Sequence, residues 1–528
     1  MKLHKYYFLL FIAMGLVACN QETTPKKMSK DKRIALMAEQ EIEMTKDPVT
    51  GEVPKDKIYE IKRQLIKEGR YDVSREGEDW KSRGPNNVGG RTRAVLVDSR
   101  DPSGNSLIIG SVGGGLWTVK NADTDPTWER VVGYTGNPSV CSIVQDPNNP
   151  ENMYIGTGEG WFNGDAYRGD GIYKSTNGGI DWDRLSSTSN GDFNHTQKLI
   201  FTADGNLLAA TRESGVQMST NGGQTWAAVL SNTNQGFSNR AADLEMTSDG
   251  TIFASMGIFT TDGVYKSVDG GFQWSFLELG VDHYQRIELG TSLNDPNLVM
   301  ALVQNDSTRS VNNILRSTDK GETWNKVTVA LTFGGGNFTR GQAWYDLSIA
   351  IDPNNSDVAF IGGINVYKTE DGGNTWAQMS EWFQTPQIQN VHADQHSAQF
   401  VNGSSDRVMF SNDGGLYITQ DATSPLPEIR GISEGYVSTQ FYACAIHPEA
   451  GRDFFLAGAQ DNGTNQLTTP GLGGAIEVIG GDGAICHIGQ NNGNFQVGAS
   501  QGLGFRASFA GDLSTGGFYS TQDTLSYF

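Results

Sequence analysis

Three groups of residues have types and spacings that could do chemistry. The stretch "VHADQHSAQF" sets His392, Asp394 and His396 at alternate positions, two of the chain's seven histidines around one carboxylate. A carboxylate beside an imidazole is the arrangement of an oriented base, and the trio also offers metal donors. The second group lies in "GTGEGWFNGDAYRGDGIYK", where Glu159, Trp161, Phe162, Asn163, Asp165 and Arg168 crowd into one stretch. Aromatic rings beside carboxylates and amides suit sugar stacking and hydrogen bonding. The third is Gln460, Asp461 and Asn462 in "AQDNGT", followed by Asp482 in "GGDG". Asp394, Asp461 and Asp482 are the candidate acid and base carboxylates, although Asp-Asn-Gly is also plain turn chemistry. No GxGxxG, P-loop, HExxH or nucleophile elbow appears in a convincing context, and no cofactor is expected.

These residues are held by a repeat. "STNGGIDW" begins at Ser175, "STNGGQTW" at Ser219, "SVDGGFQW" at Ser267, "STDKGETW" at Ser317 and "TEDGGNTW" at Thr369. Degraded copies are "NADTDPTW" from Asn121 and "TQDATS" from Thr419. The third positions are Asp123, Asn177, Asn221, Asp269, Asp319, Asp371 and Asp421, spaced 54, 44, 48, 50, 52 and 50 residues apart. Each box follows an apolar strand, and another strand pair precedes it, as in "SIAIDPNNSDVAFIGG". Four short strands per ~50 residues predict an all-β chain, a β-propeller of about seven blades. The Asx side chain accepts hydrogen bonds from turn amides, the glycines allow positive φ, and the Trp packs back on the blade. The seven box positions are therefore assigned to stability.

The box resembles the Asp-box, or BNR repeat, of sialidases, family 74 xyloglucanases and sortilin-type propellers. Four further stretches resemble exported bacterial BNR/sortilin-like propeller proteins: "GPNNVGGRTRA", the 156–179 segment, "HADQH" with "SNDGG", and "AQDNGT" with "GGDG". The resemblance covers residues 75–525, and implies fold more firmly than activity. In that family the boxes sit on outer hairpins, away from the catalytic centre. Sialidases hold a substrate carboxylate with three arginines; "GGRTRAV" lacks their Arg-Ile-Pro motif. Family 74 enzymes use two aspartates, one in a Thr-Asp-x-Gly-Gly loop of the first blade. Here "GSVGGGLW" puts Ser111 at that place.

The period places the inner, channel-facing strands at 91–97, 142–145, 198–202, 242–246, 285–289, 345–350 and 392–400. They would carry Arg91, Arg93, Asp243, Glu245, Arg286, Glu288, Asp346, His392 and Asp394, charges that pair across a wet channel or bind a ligand. On a strand, His392 and His396 would stand ~13 Å apart, too far to share one ion, so no metal site is expected. The expectation instead is a polar stripe at the channel mouth, with Asp394 orienting one histidine. The expected binding residues are Arg91, Arg93, Glu159, Trp161, Arg286, His392, Asp394, His396, Gln460 and Asn462.

Composition bounds the partners. Residues 1–80 hold 15 basic and 14 acidic side chains against 40 and 60 in all 528, so 81–528 carry a net −21. Such a body repels phosphate backbones, which excludes nucleic acid. "MKLHKYYFLLFIAMGLVAC" has a basic start, a short apolar run and Leu16-Val17-Ala18-Cys19, similar to a lipoprotein lipobox with Cys19 as the lipidated residue. The membrane is then met through the N-terminal lipid alone, on a Bacteroidetes-like outer membrane or cell surface. The expected organisation is a signal peptide over 1–19, a tether with helical patterns over 20–79, the propeller over 80–430, and further blade-like units over 431–528, the start of a second propeller in a truncated sequence. Function reads as a lipid-anchored propeller binding glycan or protein without catalysis. The alternatives are a glycoside hydrolase using mouth carboxylates and a secretion- or surface-complex scaffold.

Overall fold

A computed structural model describes residues 81–519, except 232–238, 333, 387, 470–471 and 502–503, together with scattered positions between 43 and 68. The chain divides into two compact units, 1–61 and 62–528. In the first, Asp47 Oδ1 accepts from the Val49 and Thr50 amides at 2.8 and 3.1 Å, fixing the turn that the "DPVTG" residues call for. Lys57, Glu60 and Ile61 are helical, as the 56–69 pattern predicts. The signal sequence and Cys19 lie outside the described residues, as does the first helical pattern apart from Glu43, which is helical.

Among the described residues, the second unit holds nine four-stranded antiparallel sheets, each formed by four consecutive strands. Their inner strands are Thr92–Val97, Val140–Gln145, Thr196–Phe201, Ala241–Met246, Tyr284–Thr291, Ser348–Ile351, Ser397–Phe400, Phe441–Ile446 and Gly483–Ile488. We number these sheets blades 1 to 9. The second strands of blades 1 to 4, "LIIGS", "MYIGT", "LLAAT" and "IFASM", are buried at every position. Neighbouring blades cover them on both faces, so they read as continuous apolar runs instead of alternating. Blade 1 packs on the first two strands of blade 7, which closes a ring of seven. The closure is side-chain work: Trp128 Nε1 donates to the Ile432 carbonyl at 2.7 Å, and its ring stacks on buried Tyr436 at 4.2 Å. Blades 8 and 9 pack on each other through their inner strands. A segment ahead of blade 1 ties them to the ring: Asn87 exchanges hydrogen bonds with Ala475 at 2.8 and 3.0 Å, and Arg83 pairs with Asp453 at 2.8 Å. In this segment Gly90 passes so close to blade 8 that a Cβ would sit 2.3 Å from the Ser438 carbonyl oxygen.

The boxes are turn locks. Asp269 Oδ1 accepts from the Phe272 and Gln273 amides at 3.1 and 2.9 Å and from Ser267 Oγ at 2.8 Å. Trp274 Nε1 donates back to the Gly271 carbonyl at 2.9 Å. Asn177, Asn221, Asp319 and Asp371 take the amide four residues on in the same way, at 2.8–3.0 Å. Asp421 takes that of Glu428 at 3.0 Å. The degraded first copy works differently, since Asp123 pairs with Arg407 of blade 7 at 2.7 Å and fastens the ring instead of its own turn.

Two expected inner strands are shorter than the period implies. Blade 6 begins at Ser348 and blade 7 at Ser397, so Tyr345, Asp346, His392, Asp394 and His396 precede the strands. Asp394 takes a φ of +67°, a left-handed conformation outside the strand range of a residue with a side chain. These residues form loops that fill the mouth of the ring.

Candidate functional site

The site is assembled from the loops that enter inner strands and those that join second to third strands. Arg91 directly precedes the first inner strand and is its hub. Its side chain, 3% exposed, donates to Glu159 Oε2 at 2.9 Å, Asp413 Oδ1 at 3.1 Å and Asp461 Oδ2 at 3.2 Å, and also to Asp165. Arg93, two residues on at the β-bulge between Thr92 and Ala94, donates through Nε to Glu159 Oε1 at 2.5 Å. Burial alone would raise the Glu159 carboxyl; the two guanidiniums overcome this and hold it at about 2. Four carboxylates on one arginine thus join blade 1 to loops of blades 2, 7 and 8.

Asp413, from the "SNDGG" turn of blade 7, is the second hub. It accepts from Tyr345 Oη at 2.7 Å and bonds His396 Nε2 at 2.7 Å, with the His396 and Asp413 side chains fully buried. Asp413, and not Asp394, therefore orients a histidine. Burial and the nearby arginines push His396 well below the usual histidine range. His392 faces elsewhere: its Nε2 lies 3.0 Å from the Asp461 carbonyl, and its ring presses on Gly414, where a Cβ would come within 2.4 Å. Asp394 and buried Asp346 share the Gln342 amide, at 2.6 and 3.3 Å. Burial raises both well above the usual carboxylate range, and the Asp346 charge raises Asp394 further. Asp346 is fully buried, and among the described residues its Oδ1 has no hydrogen-bond partner.

Asp461 and Asp482 form the open side. Gln460 Nε2 donates to both, at 2.8 and 3.3 Å, and the Asp461 amide donates to Asp482 Oδ1 at 3.1 Å. Burial raises each to about 6; the Asp413 charge adds to Asp461, and Asp461 adds to Asp482. Asn462 is a tie to blade 7, donating to the Asp413 carbonyl at 3.0 Å. Tyr442, 52% exposed, feels the charges of Asp165, Asp461 and Asp482. A carboxyl that exchanges its proton near neutrality, beside an exposed ring, can protonate a leaving oxygen.

Trp161 is not an open stacking surface. It is 6% exposed, with the Arg286 guanidinium 3.6 Å from its ring centre. Arg286 is buried and bonded to Glu288 at 2.8 Å, and its Nε and Nη1 have no hydrogen-bond partner among the described residues. Below the mouth, the channel is a cavity of 410 Å³ lined by Arg93, Trp161, Lys198, Asp243, Arg286 and Glu288. Lys198 pairs with Glu245 at 2.8 Å and Asp243 at 3.4 Å, so the channel charges answer one another. The mouth thus brings together Arg91, Arg93, Glu159, His392, Asp394, His396, Gln460, Asp461, Asn462 and Asp482, with Trp161 and Arg286 beneath. Sequence reasoning did not single out Asp413, Tyr345 or Tyr442. The "SNDGG" run after "HADQH" was a signal for Asp413; Tyr345 and Tyr442 carried none.

No family model matches the chain. Over 142 residues it is 31% identical to the xyloglucanase Xgh74A of Acetivibrio thermocellus, a match taking in 23% of this chain and 16% of that enzyme. A xyloglucanase of Hypocrea jecorina is 28% identical over 116 residues, 21% of this chain and 12% of the enzyme. The matched stretch is homologous to these xyloglucanases, while the chain spans under a sixth of their length. Among solved structures, the GH74 xyloglucanase from Xanthomonas campestris superposes with a TM-score of 0.61 at 14% identity, over 82% of this chain and 68% of that one. The GH74 enzyme of Niastella koreensis gives 0.51 at 17% identity, over 84% and 74%. These two establish the propeller fold.

Proposed function

We propose that the protein is a glycoside hydrolase acting on a polysaccharide at the ring mouth, and not a purely binding propeller. The observation that carries this is the Asp461–Asp482 pair, raised to about 6, partly exposed to solvent beside Tyr442 and next to the Arg91 carboxylates. The pair supplies the general acid. Asp165, whose oxygen shares one Arg91 nitrogen with Asp461 and so lies within about 6 Å of it, supplies the second carboxylate, at the short spacing where that group attacks the sugar carbon as the acid protonates the leaving oxygen, and water then frees the glycosyl-enzyme. Homology to xyloglucanases supports a β-glucan backbone as substrate. The test is release of reducing ends from xyloglucan by the wild type, Asp461→Asn, Asp482→Asn and Asp165→Asn. Loss of turnover with retained binding supports the roles; full turnover in all three variants sinks them.

Binding without cleavage is the second reading, favoured by Ser111. It is fully buried, with Oγ engaged by the Gly114 amide at 3.0 Å and the Arg91 carbonyl at 3.3 Å. A carboxylate at that place is thus missing from the mouth, and a wild type that binds but never cleaves would decide for this reading. Export and lipid anchoring through Cys19 belong to the same proposal, with the glycan met at the cell surface. Fatty-acid labelling that persists in Cys19→Ala would refute the anchor.

A further inference from the structure

Loops of blades 2, 3 and 4 bring a set of arginines together. Arg168 lies in the same loop as Asp165, Arg212 in the turn after strand Leu207–Thr211 of blade 3, and Arg240 immediately before the inner strand of blade 4. The guanidinium carbons of Arg212 and Arg240 lie 4.3 and 4.6 Å from the centre of one ring, that of Phe162. Phe162 is 43% exposed and holds a φ of +64°, a conformation costly for an aromatic residue and retained where a site demands it. Its neighbour in space, Phe259, 5.8 Å away, is also left-handed at +54°.

The charges here are not balanced. Arg212 alone of the three forms an ion pair among the described residues, with Glu213 Oε1 at 2.9 Å. That oxygen is shared with His195 Nδ1 at 2.5 Å. Arg240 donates to the Ile258 carbonyl, which carries no charge. Burial lowers the affinity of Arg212 and Arg240 for their protons; Glu213 works against this on both, while Arg168 adds to it on Arg212 and Arg212 adds to it on Arg240. Two like charges pinned on one ring repel, and an acidic chain of net −20 has ample carboxylates to neutralise them internally.

We propose that Arg168, Arg212 and Arg240 form a carboxylate subsite, and that the polysaccharide crossing this mouth carries uronate residues. The inference rests on the glycan reading above and specifies its substrate class. Guanidinium forks match carboxylates in bidentate fashion. Arg168 stands three residues from Asp165, so the subsite lies within about 11 Å of the carboxylate cluster along the chain, inside the span of one oligosaccharide. An acidic peptide shares the carboxylate but not the sugar ring.

The test measures binding of the full chain to polygalacturonate, to its carboxyl-reduced form, to xyloglucan and to poly-glutamate, at low and at 0.5 M salt, for wild type, Arg240→Gln, Arg240→Lys and Arg212→Gln. Melting curves confirm that the variants fold. The expected result is polygalacturonate binding about tenfold tighter than its reduced form, a preference lost in both Gln variants and partly kept in Arg240→Lys. Equal binding of the acidic and reduced polymers overturns the subsite but leaves the glycan reading intact. Poly-glutamate binding as tight as polygalacturonate overturns the assignment to a glycan. Failure to bind any of the three polysaccharides overturns the glycan reading, and the subsite with it.

Discussion

Glu159→Gln tests the hub of the mouth. Glu159 is fully buried and is the carboxylate that Arg93 bonds, at 2.5 Å; Arg91 has three others. Glutamine keeps the shape and loses the charge. The carboxyl is held at about 2 against an ordinary 4.5, which corresponds to about 3 kcal/mol of folded-state stabilisation at neutral pH. Stranding one partner of a buried ion pair costs about 3–5 kcal/mol, a consistent figure. The sign with pH follows from a depressed carboxyl. Its stabilisation is complete above 4.5 and drains away as pH falls through 2, leaving about 1.4 kcal/mol at pH 3. Denaturant unfolding of wild type and variant at pH 7 and pH 3, with unchanged slopes, should give a gap of about 3 kcal/mol that shrinks by more than half. A gap below about 1 kcal/mol at pH 7, or one that does not shrink at pH 3, refutes the claim that Glu159 neutralises both arginines.

Glycan hydrolysis should fall as pH rises through about 6, where the Asp461–Asp482 pair loses its proton; a rate unchanged from pH 5 to 8 would remove the pair from the acid role. The same raised carboxyls make the folded state bind protons more tightly than the unfolded one, so they weaken stability as pH climbs from about 4 to 6. Trp161→Ala should cost about 3–5 kcal/mol, since it removes a 6%-exposed ring and the surface on which Arg286 rests; a loss under 1 kcal/mol, seen by chemical denaturation, would mean the ring is not a packing element. Asp371→Ala should cost about 1–2 kcal/mol and leave glycan turnover unchanged, because the Asp371 carboxylate binds the Thr375 amide and hydroxyl in an outer turn.

The blade count was legible because the box letters specify turn chemistry wherever they occur, and Asp269, Asp319 and Asp371 do what Asx-Gly turns require. Ring closure was less so: no sequence period marks Trp128 stacking on Tyr436, or Asp123 leaving its own turn for Arg407. The mouth was read as strand at "VHADQHSAQF", where alternation of polar residues imitates a pleat. A left-handed Asp394 and the contact of the His392 ring with Gly414 break that pleat, and both depend on chain 20 or more residues away. Charge pairing over hundreds of residues, such as Arg91 with Asp413 and Asp461, is set by topology and has no local signature.

The central claim is that a sugar chain lies over Tyr442 with its scissile oxygen at the Asp461–Asp482 pair. The direct measurement is a crystal structure of Asp482→Asn with a xyloglucan oligosaccharide. The account predicts density across the mouth, a ring against Tyr442, and a glycosidic oxygen within about 3 Å of the Asp461 carboxyl. An oligosaccharide bound on another face of the ring, with the mouth empty, would contradict it.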